Sequence, residues 1–192
     1  MNLPVPGSRL REHPNAGTSC PRLSHDSAVD LQLRLLTRVE AERVVRRRND
    51  PVAGDAPWVD GYPLEGDSRA CAAYVTQLPL EGGPQACSEF GYYQILEDGA
   101  VVGGIGFHGP PRAGVAEVGY GVVPAARGRG VATQALRLAV DIARGSGRVS
   151  RLVGRTTPDN LASQQVMHAV GMRVVGEDDE FLHFEMSIEL PD

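Results

Sequence analysis

Asp30-Leu31-Gln32-Leu33-Arg34-Leu35 alternates polar and apolar side chains, the period of a half-buried strand. Thr37 follows, with Glu40 three residues on as a capping box, and predicts a helix over 38–48 that frays at Asn49-Asp50-Pro51. The Arg46-Arg47-Arg48 run reads as the solvated end of that helix. Residues 51–66 are rich in Pro and Gly and carry the only tryptophan, Trp58, together with Tyr62. Asp67 is expected to open a helix over about 68–78, with a loop over 79–88. Phe90 to Leu96 and Ala100 to Phe107 are apolar runs separated by Glu97-Asp98-Gly99, and Asp-Gly between such runs signals a hairpin. Pro110-Pro111 ends the second run, and a third strand is expected from Val115 to Val123, stopped by Pro124. Val131, Ala135, Leu138 and Ile142 form one stripe of a helix over about 129–144. Leu152 to Thr156 reads as a strand, Asn160 as the cap of a helix that ends at Gly171, and Val174-Val175 and Phe181 to Ile188 as the last strands. Strands and helices mix without strict alternation. The expected class is therefore α/β in the α+β sense, a mixed, mostly antiparallel central sheet flanked by helices.

Residues 1–28 hold Pro4, Pro6, Pro14 and Pro21 and show no period, so they are expected to form a flexible leader to a single domain over 29–190. A 42% apolar content suffices for a core, and the net charge of −5 argues against a nucleic-acid binder held by bulk electrostatics. Every one of the 19 basic residues is Arg, which excludes a Lys nucleophile, a Schiff base and a phosphate-loop Lys. Cys20, Cys71 and Cys87 are odd in number and lack metal-ligand spacing, so no metal site or disulfide framework is expected. The N-terminus has no apolar signal stretch, and no run approaches the roughly 18 apolar residues of a membrane span. A cytoplasmic monomer or homodimer without membrane or nucleic-acid partners is the expectation.

Two glycine patterns bear on chemistry. Gly104-Ile105-Gly106-Phe107-His108-Gly109 spells a dinucleotide fingerprint, but Pro110-Pro111 follows where that motif must open a helix, so it reads as a glycine-rich strand and turn. Arg127-Gly128-Arg129-Gly130-Val131-Ala132 instead runs from a strand and a Pro stop straight into the amphipathic helix. Free backbone N–H groups and the helix dipole make such a place an anion site, and glycines let a phosphate reach the backbone.

Arg127, Gly130 and Ala132 fill R/Q-x-x-G-x-G/A, and the chain here resembles the GNAT N-acetyltransferase superfamily. The preceding Glu117-Val118-Gly119-Tyr120-Gly121-Val122-Val123-Pro124 looks like that family's fourth strand. Asn160-Leu161-Ala162-Ser163 with Gly171-Met172 resembles the N-x-x-S…G-F helix of the branch holding ribosomal-protein and small-molecule N-acetyltransferases. The resemblance implies acetyl-CoA as donor and an amine as acceptor. It implies that the backbone of Val122 and Val123 pairs with pantetheine, that Gly128, Arg129, Gly130, Val131, Ala132 and Thr133 hold the pyrophosphate with Arg127, and that Asn160 contacts pantetheine. It also implies that two parallel central strands splay to make the slot. Met172 replaces the usual Phe, Gln134 stands where many relatives have Glu, and Met167 stands where some branches place a tyrosine acid.

Direct transfer needs a neutral amine. At pH ~7.5 an α-amino group of pKa ~7.8 is about one-third neutral, whereas a lysine amine of pKa ~10.4 is only about 0.1% neutral, a cost of roughly 4 kcal/mol. Glu117, on the strand that meets the cofactor, is the first candidate base, and His108, at the end of a strand before the Pro-Pro turn, is the second. Tyr120 can donate a proton or pack; His168 reads as a surface residue. Trp58, Tyr62, Tyr92 and Tyr93 either wall the acceptor pocket or fill the core, and the acidic run Glu177-Asp178-Asp179-Glu180 reads as a solvated turn. The competing reading is a non-catalytic acyl-CoA-binding sensor or interaction module on the same fold.

Overall fold

The structure, a computed structural model, describes residues 22–25, 31–47, 55–79 and 87–189. Its strands are β1 (Arg22–His25), β2 (Leu31–Leu35), β3 (Tyr92–Glu97), β4 (Ala100–Phe107), β5 (Val115–Val122), β6 (Arg151–Thr156), β7 (Arg173–Glu177) and β8 (Leu182–Ser187). The helices are α1 (Arg38–Val45), α2 (Glu65–Gln77), α3 (Val131–Gly145) and α4 (Leu161–Ala169). The strands form one sheet in the order β1-β2-β3-β4-β5-β6-β8-β7. All neighbours are antiparallel except β5 and β6. This is the mixed, mostly antiparallel sheet expected of the chain.

Local chemistry explains the elements and their departures from the sequence pattern. The capping box of α1 forms: Thr37 N–H donates to Glu40 Oε2 at 2.8 Å, and Glu40 N–H donates to Thr37 Oγ1 at 3.4 Å. The helix stops at Val45, short of the expected 48, and Arg47 takes a left-handed φ of 52°. Asp67 does not open α2; it is the helix's third residue, and its Oδ2 accepts the Leu64 N–H at 2.8 Å. The Asp98-Gly99 hairpin turn has φ of 50° and 80°, the two positive values that match the twist of paired strands. Within 1–28, Arg22–His25 pair with β2 as an edge strand, too short and with too few apolar residues to show a period. The rest of the expected leader lies outside the described residues, as does most of the 79–88 loop.

The GxGxxG run is structural. A Cβ at Gly103 would lie 2.2 Å from the Gly121 carbonyl oxygen, and one at Gly104 would lie 1.6 Å from the Tyr92 hydroxyl. Side chains are therefore excluded where β4 passes β5 and where Tyr92 crosses the sheet. Tyr92 and Tyr93 are both buried among the core residues. Leu64 and Asp67 of the α2 start lie over Gly121, while Tyr120, on the opposite face of β5, reaches Ser163 of α4. Helices thus cover both faces, and Leu33, Ile95, Ile105, Leu136, Leu152 and Phe184 fill the layers between.

Candidate active site

Among the described strands, the one parallel pair is short. β5 pairs with β6 only at Val115↔Arg151, Ala116↔Leu152 and Glu117↔Val153, although both strands continue beyond. Past Glu117 the strands part into a wedge, the splaying that the family resemblance implies. On the other side β5 stays zipped to β4. His108 N–H donates to the Glu117 carbonyl and Val123 N–H to the Val102 carbonyl, each at 2.9 Å, with Gly119 and Gly121 facing Gly106 and Gly104 between them. Backbone groups alternate sides along a strand. Positions 117, 119, 121 and 123 therefore turn their amides and carbonyls to β4, and Val118, Tyr120 and Val122 turn theirs into the wedge. The Val123 amide is already committed to Val102, so of the pair Val122–Val123 only Val122 faces the opening.

The loop at the wide end of the wedge is built for an anion. Gly128 and Gly130 have φ of 74° and 80°, and a Cβ at either would meet nothing within 4 Å. The expected helix start at 129 moves to Val131, because Gly130 caps α3 in the left-handed conformation. The first bond inside α3 runs from Gln134 N–H to the Gly130 carbonyl at 3.0 Å, so the N–H groups of Val131, Ala132 and Thr133 point out of the helix end. Arg127 Nε donates to the Val122 carbonyl at 3.0 Å and ties the loop to the end of β5. Arg129 pairs at 2.6 Å with Glu97, whose side chain is 7% exposed. Both arginines thus shape the loop as well as lending it charge.

At the narrow end, on the α2 face, Glu117 meets His108. Glu117 Oε1 lies 3.1 Å from His108 Nδ1 and 3.2 Å from Arg155 Nε. Arg155 stands on β6 beyond the last paired residue, so this ion pair spans the wedge apex. The His108 ring, and behind it the charges of Arg155 and His183, hold the Glu117 carboxyl below the usual carboxylate range against its partial burial. His108 Nε2 sits over Gly119, where an added Cβ would come within 3.1 Å of it. The guanidinium of Arg155 also lies 4.9 Å from the centre of the Phe181 ring, and His183 Nε2 is 2.7 Å from Asp178 Oδ2. The structure thus brings the two candidate bases together and adds Arg155, which the sequence reading missed. Its partner across a parallel register is invisible to local pattern.

On the α4 side the Tyr120 hydroxyl is 2.9 Å from Ser163 Oγ. Asn160 Oδ1 accepts the Ser163 N–H at 3.1 Å and so caps α4. Met167 is buried in contact distance of Gly154, and His168 is exposed beside the Phe184 ring at 5.2 Å. Trp58 packs edge-on against Tyr62 at 5.1 Å, and Tyr62 is buried. Among the described residues no group of three or more His, Cys, Asp or Glu is placed to hold a metal, and no helix is long and apolar enough to cross a membrane.

Known proteins resemble this chain in sequence or in fold. The chain is 31% identical over 85 residues to the uncharacterized N-acetyltransferase YjdG of Bacillus subtilis, a match covering 44% of this chain. It spans about half, 51%, of that relative's length. Mycobacterium smegmatis RimJ in complex with CoA-disulfide has the same fold, with a TM-score of 0.56 and 22% identity over 82% of each chain. So does the ribosomal-protein-S5-alanine acetyltransferase of Vibrio fischeri, with a TM-score of 0.58 and 18% identity over 86% of this chain and 96% of that one. The model of the acetyltransferase (GNAT) domain matches residues 30–173, and with the wedge, the phosphate-type loop and the flanking helices in place, the chain belongs to that family.

Proposed function

We propose that the protein transfers an acetyl group from acetyl-CoA to a primary amine, by direct attack of the amine while both are bound. The wedge carries this reading. It is a gap in the sheet faced by the backbone of Tyr120 and Val122, with the Val122 carbonyl held by Arg127, an anion loop at its wide end and a carboxylate–imidazole pair at its apex. In RimJ of M. smegmatis the same fold holds a CoA-disulfide, which supports CoA as the occupant.

In this reading Gly128 to Thr133 receive the pyrophosphate, and Val122 and Tyr120 offer alternate hydrogen bonds to the pantetheine arm. Asn160, occupied with its cap, serves by setting the start of α4 beside that arm. The thioester then lies at the apex, about 13 Å along β5 from Gly121 at ~3.3 Å per residue. The amine nitrogen bonds to the acyl carbon, the carbon–sulfur bond breaks, the amine proton passes to the Glu117–His108 pair, and the thiolate takes a proton. Orientation of the amine against the carbonyl supplies much of the rate. The fold's likeness to a ribosomal-protein-S5-alanine acetyltransferase favours a protein N-terminus among the acceptors, and α-amino groups are also the amines that reach the site already neutral.

The test is release of free CoA thiol from acetyl-CoA with two amines, a peptide that starts with alanine and a small primary alkylamine. Thiol release with either, and acetylated product by mass, is the expected result. Saturable acetyl-CoA binding with no release from both would instead assign the chain as a non-catalytic acyl-CoA-binding module.

A further inference from the structure

We infer that His108 is the residue that takes the amine proton, through Nε2, and that Glu117, Arg155 and Gly119 are positioning residues for its ring. The inference rests on the acetyl-transfer reading and divides the roles within its apex pair. It starts from hydrogen-bond chemistry. Glu117 Oε1 is buried without a well-aligned hydrogen-bond donor, and His108 Nδ1 lies 3.1 Å from it. An ionised carboxylate only accepts, so this contact favours the neutral tautomer that carries its proton on Nδ1. Nε2 then has the free lone pair. Glu117 is poorly suited to the same task, because Oε1 is shared between His108 and Arg155 and the carboxyl is held below its usual range. A carboxylate whose charge is stabilised in this way is a weak base but a good anchor for an imidazole.

The surroundings aim Nε2 at the wedge. His108 N–H donates to the Glu117 carbonyl at 2.9 Å, so the two residues are a cross-strand pair with side chains on one face. Gly119, the next residue of β5 on that face, has no side chain, and an added Cβ would press on the ring at 3.1 Å from Nε2. The face is open, with the His108 side chain 46% exposed. The charged groups around the ring are Glu117 from β5, Arg155 from β6, and His183 from β8 with its partner Asp178. From α2, Gln77 contributes an uncharged amide near Gly109. Arg155 offsets the charge of Glu117 beside the ring.

Two measurements on the full chain decide the point. The first is nitrogen-15 imidazole spectroscopy with acetyl-CoA bound, which needs no turnover. In its neutral form His108 should hold its proton on Nδ1 with Nε2 bare, and Glu117→Gln should shift the population towards the Nε2–H form that free histidine prefers. A proton found on Nε2 of the neutral ring in the wild type overturns the proposal. The second uses the alanine-starting peptide. His108→Gln should lower kcat by roughly 10²- to 10⁴-fold, leave acetyl-CoA affinity unchanged and erase the acid limb of the kcat/KM profile. In His108→Ala, added imidazole should restore part of the rate. Glu117→Gln should cost less and move the limb without erasing it, and Gly119→Ala should lower kcat with little effect on KM. If Glu117→Gln erases the limb while His108→Gln keeps it, Glu117 is the base and the assignment is wrong. Absence of thiol release from the wild type with every amine would instead count against acetyl transfer itself, and the tautomer would still judge the roles.

Discussion

Tyr120 shows how much one side chain at the wedge can decide. Its hydroxyl is 2.9 Å from Ser163 Oγ and 3.1 Å from the Ser163 carbonyl, so it bridges β5 to the first turn of α4 across the gap. Burial raises its pKa above the usual tyrosine value, against the lowering by Ser163, so it keeps its proton at any working pH. Met167, at the position where related branches carry a tyrosine acid, is buried and has no proton to give. A leaving thiolate in the wedge would find the Tyr120 hydroxyl instead. Tyr120→Phe should therefore reduce turnover roughly 10²-fold with acetyl-CoA affinity retained, whereas Ser163→Ala, which leaves the phenol its proton, should cost less. Steady-state kinetics beside calorimetric acetyl-CoA binding would check this, and an equal loss of affinity in Tyr120→Phe would show that the ring only packs. The sequence marks Tyr120 as a donor or a packing residue but cannot pair it with Ser163, since the contact joins residues 43 positions apart.

The loop–helix unit at 127–133 was legible because every cue in it is local: a strand, a Pro stop, two glycines and an amphipathic stripe. The start of α2 was less so. Asp67 looks like an opening cap, but its carboxylate reaches back to the Leu64 amide from inside the helix, and only the burial of that turn against the sheet fixes which of the two it does. The phosphate-type loop invites a test at Gly130, whose φ of 80° excludes most side chains but suits Asn and Asp better than others. Gly130→Asn and Gly130→Asp share the conformational cost of about 1–2 kcal/mol, so their difference isolates charge. The Asp variant should bind acetyl-CoA at least roughly 10-fold more weakly than the Asn variant, about 1.4 kcal/mol, while the two melt together. Equal affinities would mean that the pyrophosphate lies away from the α3 end.

At the scale of the molecule, the sheet is two ladders joined at a short seam. β1 to β5 form one, β6, β8 and β7 the other, and among the described residues the two are paired at the three positions from Val115 to Glu117, with the Gly114 carbonyl accepting the Ser150 and Arg151 amides just before them. The seam was not legible as such. The strands could be read one by one, but the register at which a parallel pair stops is set by the packing of α3 and α4 on one face and α2 on the other. A CoA arm in the wedge would take the place of the missing ladder and tie the halves together. Because backbone groups of β5 alternate, that coupling should leave an alternating trace. On acetyl-CoA binding, amide hydrogen exchange should slow specifically at Tyr120 and Val122, which face the gap. Val123, bonded to Val102 at 2.9 Å, should already be protected and change only with global stability, which a ligand at about 100 times its Kd raises by ~2.7 kcal/mol. Residue-resolved exchange with and without acetyl-CoA separates the two terms. A uniform slowing along 117–123 would mean that the cofactor stabilises the fold without entering the wedge. Slowing confined to Tyr120 and Val122, over that background, would put the pantetheine between β5 and β6, with the reacting carbonyl carried to the apex where Glu117 and His108 meet.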